Sequence, residues 1–358
     1  MLLYTFLYII TFALFGFISM YFIYKPAVNK YMQTLELKVS SLAFPYIFAI
    51  YALCATVIYL TVNKDDFIEP LTAVRVFVPL ILAAAIYAST LVFSKKVIYA
   101  VILFAVAITA FLQPIGIGNS FPLTQLWLRL LVFVFASVFC LGTRILNILP
   151  HTFIMPNIVI LSGLILFAII GAMPLYIAVC AAVLIGISAA YLNINYYDVK
   201  IDLDDGACVA LSYLICNLLL LNLGEFCFPS CIIITLIFWE EMTAAVYNRL
   251  LITHLGMMSE NTNYFFAAQK YPLQVLTAAI FKVGVILLFL SWFQLFSVNP
   301  YSLIIVGFLI VLWLNGALGQ HENTPSKLVD INRKFVSDVK QNLQEVKEIF
   351  NTERKGKK

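Results

Sequence analysis

Long apolar stretches recur along most of the chain and constrain its fold more than any other feature. About eleven windows of roughly 17 to 25 apolar residues can be drawn, the length a helix needs to cross a bilayer core. A backbone in that core must satisfy its own polar groups, so each window predicts a membrane-spanning helix. The windows are 2–24, 41–62, 72–93, 97–113, 123–143, 153–171, 174–192, 207–222, 228–248, 272–296 and 300–317. With 63% hydrophobic and only 11% charged residues, the chain is predicted to be an all-α, polytopic membrane protein.

Basic residues alternate between the predicted loops and indicate an orientation. The odd-numbered loops carry Lys25, Lys30, Lys38, Lys95, Lys96, Arg144, Lys200, Arg249 and Lys270, and the C-terminal tail is rich in lysine. Among the even-numbered loops only Lys64 is basic, and it stands beside Asp65 and Asp66. Cytoplasmic loops of membrane proteins hold the excess of lysine and arginine. We therefore predict an outward-facing N-terminus, with the odd loops and the C-terminus in the cytoplasm.

The chain divides into a transmembrane domain, residues 1–319, and a cytoplasmic tail, residues 320–358. Thr324 followed by Pro325 is a favourable helix start. Apolar residues then recur every three or four positions at Leu328, Ile331, Phe335, Val339, Leu343, Val346 and Phe350. This stripe predicts an amphipathic helix lying on the inner leaflet, with the terminal lysines facing anionic lipid. A short coiled coil, or packing onto the cytoplasmic loops, is the alternative.

Several classes of site are not supported by the sequence. The seven cysteines lie in or beside apolar segments without the spacing of a metal site, so we interpret them as packed free thiols. Signatures of nucleotide-binding loops, serine hydrolases and zinc proteases are absent. The net charge of +4 follows the loops and tail, which suggests no nucleic-acid partner.

One polar stretch, residues 191–208, interrupts this apolar pattern in the seventh loop. It carries Asp198, Asp202, Asp204 and Asp205 within eight residues. Acids between two apolar helices are costly unless they meet water, a cation or a cationic partner. Paired carboxylates at a membrane surface suit Mg²⁺, which commonly joins carboxylates to substrate phosphates, and Lys200 could contact a phosphate. A solvated acidic loop is the alternative.

A second group of polar residues lies within and at the end of the apolar windows. Glu240 and Glu241 lie in an apolar helix, where an ionisable side chain suggests a function. Arg249 follows at the helix end, where it either pairs with one of the glutamates or contacts a substrate. Asn217 and Asn222 are predicted to form hydrogen bonds between helices rather than to bind a ligand.

The residues resemble those of a known family, the polyprenyl-phosphate N-acetylhexosamine-1-phosphate transferases of the MraY/WecA type. The run Lys200-Ile201-Asp202-Leu203-Asp204-Asp205-Gly206 resembles the late acidic turn of that family, with Asp205 in the place of the magnesium-binding aspartate. The resemblance implies catalytic roles for Asp202, Asp204 and Asp205, and substrate-binding roles for Asn195, Lys200, Glu241, Arg249 and Asn263. It also implies Mg²⁺, a UDP-sugar and a polyprenyl phosphate as ligands, and a bacterial inner-membrane location. A homodimer or other envelope-biosynthesis proteins are the implied partners.

The sequence also departs from the family pattern at three places. Thr90 and Leu91 stand where an early pair of aspartates is expected, and the fifth loop offers only Arg144, Asn147 and His151 as polar groups. A histidine-rich substrate motif is replaced by the segment 263–266, which contains no histidine. Transfer of a sugar phosphate between two anionic substrates needs cationic stabilisation. We therefore expect a diverged member whose transferase activity is altered or lost.

Two other functions remain open. A non-catalytic scaffold or lipid-carrier-binding subunit of envelope assembly would use the same groove. A UbiA-like prenyltransferase is suggested by the spacing of Asn195, Asp198 and Asp202, but it needs a second acidic motif on the same side of the membrane. Asp65 and Asp66 fall on the predicted outer face, which argues against it.

Overall fold

The chain folds into a bundle of helices. A computed structural model describes residues 2–24, 40–62, 70–113, 115–116, 125–147, 150–171, 173–195, 203–221, 223–224, 227–251, 272–296 and 302–319. The helices in these ranges are α1 (Leu2–Ser19, continued by a π-helical turn, Met20–Tyr24), α2 (Ser40–Val62), α3 (Pro70–Val92), α4 (Lys95–Leu112), α5 (Gln125–Gly142, followed by a 3₁₀ turn, Thr143–Leu146), α6 (Pro150–Ile169), α7 (Leu175–Ile194), α8 (Asp205–Leu220), α9 (Cys227–Ile234), α10 (Leu236–Leu251), α11 (Leu273–Leu295) and α12 (Ser302–Gly319). Each predicted apolar window is helical over its described residues, and the ninth is divided between α9 and α10.

Within the described ranges, seven helical stretches are long and apolar enough to cross a membrane. They are Tyr4–Phe22, Val74–Val92, Lys95–Leu112, Leu126–Leu146, Thr152–Ile169, Leu175–Ile194 and Gln274–Leu295. The bent pair α9–α10, with an angle of 57°, makes an eighth if it crosses as one span. Helices α2, α8 and α12 supply shorter apolar stretches. The fold class of a helical, multi-pass membrane protein is thus supported, while eleven crossings and their orientation stay predictions.

Helices α7 and α8 form the centre of the bundle. Nearly every side chain of α8 is buried, and α7 is buried over most of its length. A helix that is apolar all round is expected to lie inside a bundle or a membrane. The outer helices instead expose large apolar side chains, such as Phe104 of α4 and Phe289 of α11. These exposed faces are suited to lipid.

Helices α1 and α7 approach closely, and each contributes a glycine that lies against the backbone of the other. A Cβ atom added to Gly16 would lie 2.6 Å from the backbone oxygen of Val183, and one added to Gly186 would collide with the backbone of Ala13. Small residues let two membrane helices approach until their backbones touch. The sequence meets this requirement with Ala182, Gly186 and Ala190 at intervals of four.

The described ends of several helices meet at two places in the bundle. The end of α3, the start of α4, the 3₁₀ turn and the start of α8 surround one pocket. Helices α4 and α8 both run away from this end and are followed by Ile115–Gly116 and Leu223–Gly224, which pair as a two-residue parallel bridge. The helix ends that flank the third, fifth and seventh connections therefore lie together, and the residues that follow α4 and α8 meet at the other end.

Polar side chains near the second end form hydrogen bonds with backbone carbonyl groups and with one another. Arg129 Nη1 donates hydrogen bonds to the carbonyl oxygens of Ala110 (3.0 Å) and Phe111 (2.8 Å), which belong to the last turn of α4 and lack intrahelical donors. Gln113 Nε2 donates to Asn217 Oδ1 at 2.7 Å. The predicted role of Asn217, a hydrogen bond between helices, is confirmed.

The interpretation of the cysteines as packed thiols is also confirmed for the side chains that the structure describes. Among the described residues, six cysteines are buried and form no disulfide, at positions 54, 140, 180, 208, 216 and 231. The predicted tail helix, residues 320–358, lies outside the described residues.

Candidate functional site

A pocket of about 250 Å³ lies between α3, α4, the 3₁₀ turn and α8. Its polar lining consists of Thr90, Lys95, Tyr99, Arg144, Asp204 and Asp205, and its apolar wall includes Leu91, Ile98, Ile102 and Val209. Two cations, two carboxylates and two hydroxyl groups therefore face an apolar surface. Such a pocket is suited to an amphiphile with a charged head group.

The start of α8 shapes one side of this pocket. Asp204 has an extended backbone (φ −67°, ψ 162°), and its Oδ1 accepts a hydrogen bond from the Ala207 amide at 2.6 Å. This is the N-cap arrangement that short acidic residues favour. The next residue but one, Gly206, lies so close to Thr90 that a Cβ atom would collide with that side chain. The Asp-Asp-Gly sequence thus starts the helix against α3 and leaves Asp205 facing the pocket.

Arg144 reaches Asp205 from the 3₁₀ turn that follows α5. Its Nη2 donates to Asp205 Oδ2 in an ion pair, and its Nη1 donates to the Tyr99 hydroxyl at 3.1 Å. The turn is held by buried neighbours: Thr143, Ile145 and Leu146 are all inside the protein. Asn147 Nδ2 donates to the carbonyl oxygen of Leu203 at 2.8 Å. The fifth connection is therefore attached to the residues that precede α8.

Burial changes the acidity of the Asp204 carboxyl group. Desolvation raises the pKa of Asp204, and the charge of Asp205 raises it further, while hydrogen bonds from the Ala207 and Gly206 amides oppose the shift. The Asp204 carboxylate is already used to cap α8. Asp205 is 59% exposed and is the carboxylate more available to a ligand.

No protein-family model matches the chain, and no curated protein is significantly similar to it. The residues of the pocket are therefore the basis for any functional assignment.

The structure brings together some of the predicted site residues. Asp204 and Asp205 line the pocket, whereas Asn195 ends α7 with its side chain fully buried and its amide donating to the Tyr191 carbonyl. Glu241 is buried within α10, and Arg249 lies in the last turns of the same helix. Helix α10 packs against Gly142, next to the turn that carries Arg144, through Phe238 and Met242. The predicted residues Asp202, Lys200 and Asn263 lie outside the described residues.

The cationic side of the pocket does not follow from the sequence. In the sequence, the positive charges of Lys95 and Arg144 are already accounted for by the predicted orientation of the loops. Nothing distinguishes Tyr99 from the rest of the 19 tyrosines. One sequence signal could have identified these residues. Lys95 and Arg144 both lie in odd-numbered connections, as the acidic turn does.

The described donor set is a poor fit for a resident Mg²⁺. No group of three histidine, cysteine, aspartate or glutamate side chains comes together within the described residues. The Asp205 carboxylate is paired with the Arg144 guanidinium, and the Asp204 carboxylate caps α8. A magnesium ion at Asp205 would lie beside the Arg144 guanidinium, and this site remains a prediction.

The cap on α8 can be tested by substitution. Replacing Asp204 by alanine is expected to lower the free energy of unfolding by about 1 kcal/mol, because the Ala207 amide loses its acceptor. Asp204→Asn should be nearly neutral, since asparagine caps helices as well as aspartate does. Thermal unfolding in detergent measures both variants, and an alanine variant as stable as the parent would contradict the assignment.

Proposed function

We propose that this protein is a bacterial inner-membrane protein that binds a polyprenyl phosphate in the pocket around Arg144 and Asp205, as a diverged relative of the sugar-1-phosphate transferases. The observation that supports this most is the combination of Lys95 and Arg144 with an apolar wall in one pocket. A guanidinium and an ammonium group suit a phosphate head group. The wall formed by Leu91, Ile98 and Ile102 suits the first isoprene units.

The position of the pocket in the bundle supports the same proposal. It lies at the helix ends that flank the third, fifth and seventh connections, which the loop charges predict to be cytoplasmic. With eleven crossings and an outward N-terminus, the pocket would open at the inner surface of the membrane. There a lipid phosphate could meet a partner protein or a sugar nucleotide.

The resemblance to the transferase family adds a second line of support. The family pattern places acidic residues at three separated positions, occupied here by Thr90 and Leu91, by the segment with Arg144 and Asn147, and by Asp205. Thr90, Leu91, Arg144 and Asp205 all line this pocket, and Asn147 donates a hydrogen bond to the carbonyl oxygen of Leu203, within the acidic turn. Since only the last position keeps its acid, we propose lipid binding without sugar-phosphate transfer, as expected of a lipid-carrier-binding subunit.

An active transferase is the second candidate. Asp205, exposed at the pocket, is the feature that favours it. In this case the protein would move a sugar phosphate from a UDP-sugar to the polyprenyl phosphate, and Mg²⁺ would be needed to balance the charge of the two substrates.

Two measurements on purified protein in detergent test these proposals. One is binding of radiolabelled undecaprenyl phosphate, and the other is exchange of radiolabelled UMP into UDP-N-acetylhexosamines with Mg²⁺. We expect binding without exchange. Exchange that disappears in Asp205→Asn would establish the transferase instead, and absence of both binding and exchange would refute both candidates. Co-purification of an envelope-assembly protein would support the role as a subunit.

A further inference from the structure

We infer that Arg144 takes the place of a divalent cation beside Asp205, so that the pocket holds a phosphate group without a metal ion. The inference rests on the proposed function, because it concerns the same pocket and the same head group. It is carried by the Arg144–Asp205 ion pair and by the second cation, Lys95, on the wall of the pocket.

The guanidinium is held in place by the protein. Arg144 lies in a turn whose neighbours Thr143 and Ile145 are buried, and its Nη1 donates to the Tyr99 hydroxyl. Asn147, three residues later, donates a hydrogen bond to the carbonyl oxygen of Leu203, just before α8 begins. A cation fixed in this way does what a bound metal would do for a phosphate: it offers positive charge at a set position, with directed N–H donors.

The ion pair itself is weak enough to be exchanged. The side chain of Asp205 is 59% exposed and that of Arg144 is 31% exposed. The carboxylate of this pair is mostly exposed, so the pair contributes little to stability, whereas a guanidinium binds phosphate through parallel, charge-assisted hydrogen bonds. A phosphate can therefore replace Asp205 as the partner of Arg144, with Lys95 as the second cation.

This arrangement reverses the usual expectation for the aspartate. A metal-binding aspartate is needed for the ligand, so removing its charge weakens binding. In this pocket Asp205 is an internal counter-ion that competes with the phosphate for Arg144. Removing its charge leaves the guanidinium available and strengthens binding.

The test is a titration of the full-length protein in detergent with dodecyl phosphate, in Mg²⁺ and in EDTA. We expect equal affinity in the two buffers. Asp205→Asn should bind up to about fivefold more tightly, by the amount that an exposed ion pair contributes. Arg144→Gln should bind at least about tenfold more weakly, because it loses a charge-assisted contact to the phosphate. Arg144→Lys keeps the charge, so its affinity should lie between those of Arg144→Gln and the parent.

Matched variants and ligands separate the possible outcomes. Lys95→Gln should weaken binding, while Lys96→Gln, its exposed neighbour outside the pocket, should not. Inorganic phosphate in place of dodecyl phosphate distinguishes a free-anion site from a lipid site. Binding that requires Mg²⁺ and is lost in Asp205→Asn would overturn the inference but keep the proposed function. Absence of binding in either buffer, from protein with an unchanged thermal transition, would refute the proposed function itself.

Discussion

Replacing Gly186 by alanine is expected to destabilise the bundle strongly for a change of a single methyl group. The added Cβ atom would overlap the backbone of Ala13 in α1. Backbone atoms cannot rotate away as a side chain can, so α1 and α7 must separate. Overpacking of this kind costs about 1–3 kcal/mol, and the loss extends to the partner face, where Gly16 lies against the backbone of Val183.

Gly307→Ala is the matched control for this prediction. Gly307 lies inside α12, and its added Cβ atom would meet the terminal Cδ1 of Leu236 at 2.8 Å, with only side-chain atoms as its nearest neighbours. The side chain can turn aside, and alanine favours a helix over glycine by about 1 kcal/mol. Thermal unfolding in detergent should therefore show a large loss for Gly186→Ala and little or none for Gly307→Ala. Equal losses would mean that α1 and α7 do not meet at backbone contact distance.

The sequence predicts the helices well because a membrane imposes a simple requirement on length and polarity. Each apolar window is helical over its described residues, and Lys95, Arg144 and Asp205 from three odd-numbered loops line one pocket. The division of the ninth window at Thr235 does not follow from the sequence. The 57° bend lies in a run of isoleucines and threonine without glycine or proline at the break, so composition contains no signal for it.

The candidate site is only half predictable, for a different reason. Asp204 and Asp205 stand out because acids are rare in this chain and because an Asp-Asp-Gly turn is a recognisable helix start. Arg144 is 61 residues away from Asp205 along the chain, and its charge is already explained by membrane orientation. Only the packing of the turn after α5 against the start of α8 shows that it is also a partner of Asp205.

Reversing the charge of Arg144 is expected to have the largest effect on ligand binding. Arg144→Asp removes the guanidinium from the phosphate and places a third carboxylate beside Asp204 and Asp205. Loss of a charge-assisted hydrogen bond together with added repulsion should weaken dodecyl phosphate binding on the order of 100-fold. The bundle should remain folded, because an ion pair whose carboxylate is mostly exposed contributes only about 0–1 kcal/mol.

Exchanging the two charges tests whether the pair acts as a unit. The double variant Arg144→Asp with Asp205→Arg restores one cation and one anion at the same place. Rescue should be partial, because a cation in the first turn of α8 faces the positive end of the helix dipole, where Asp205 is favoured. In a titration with dodecyl phosphate, the affinity of the double variant should therefore lie between those of the parent and of Arg144→Asp. A double variant no better than the single one would show that the position of the guanidinium, held by Tyr99 and the 3₁₀ turn, matters more than the charge balance of the pocket.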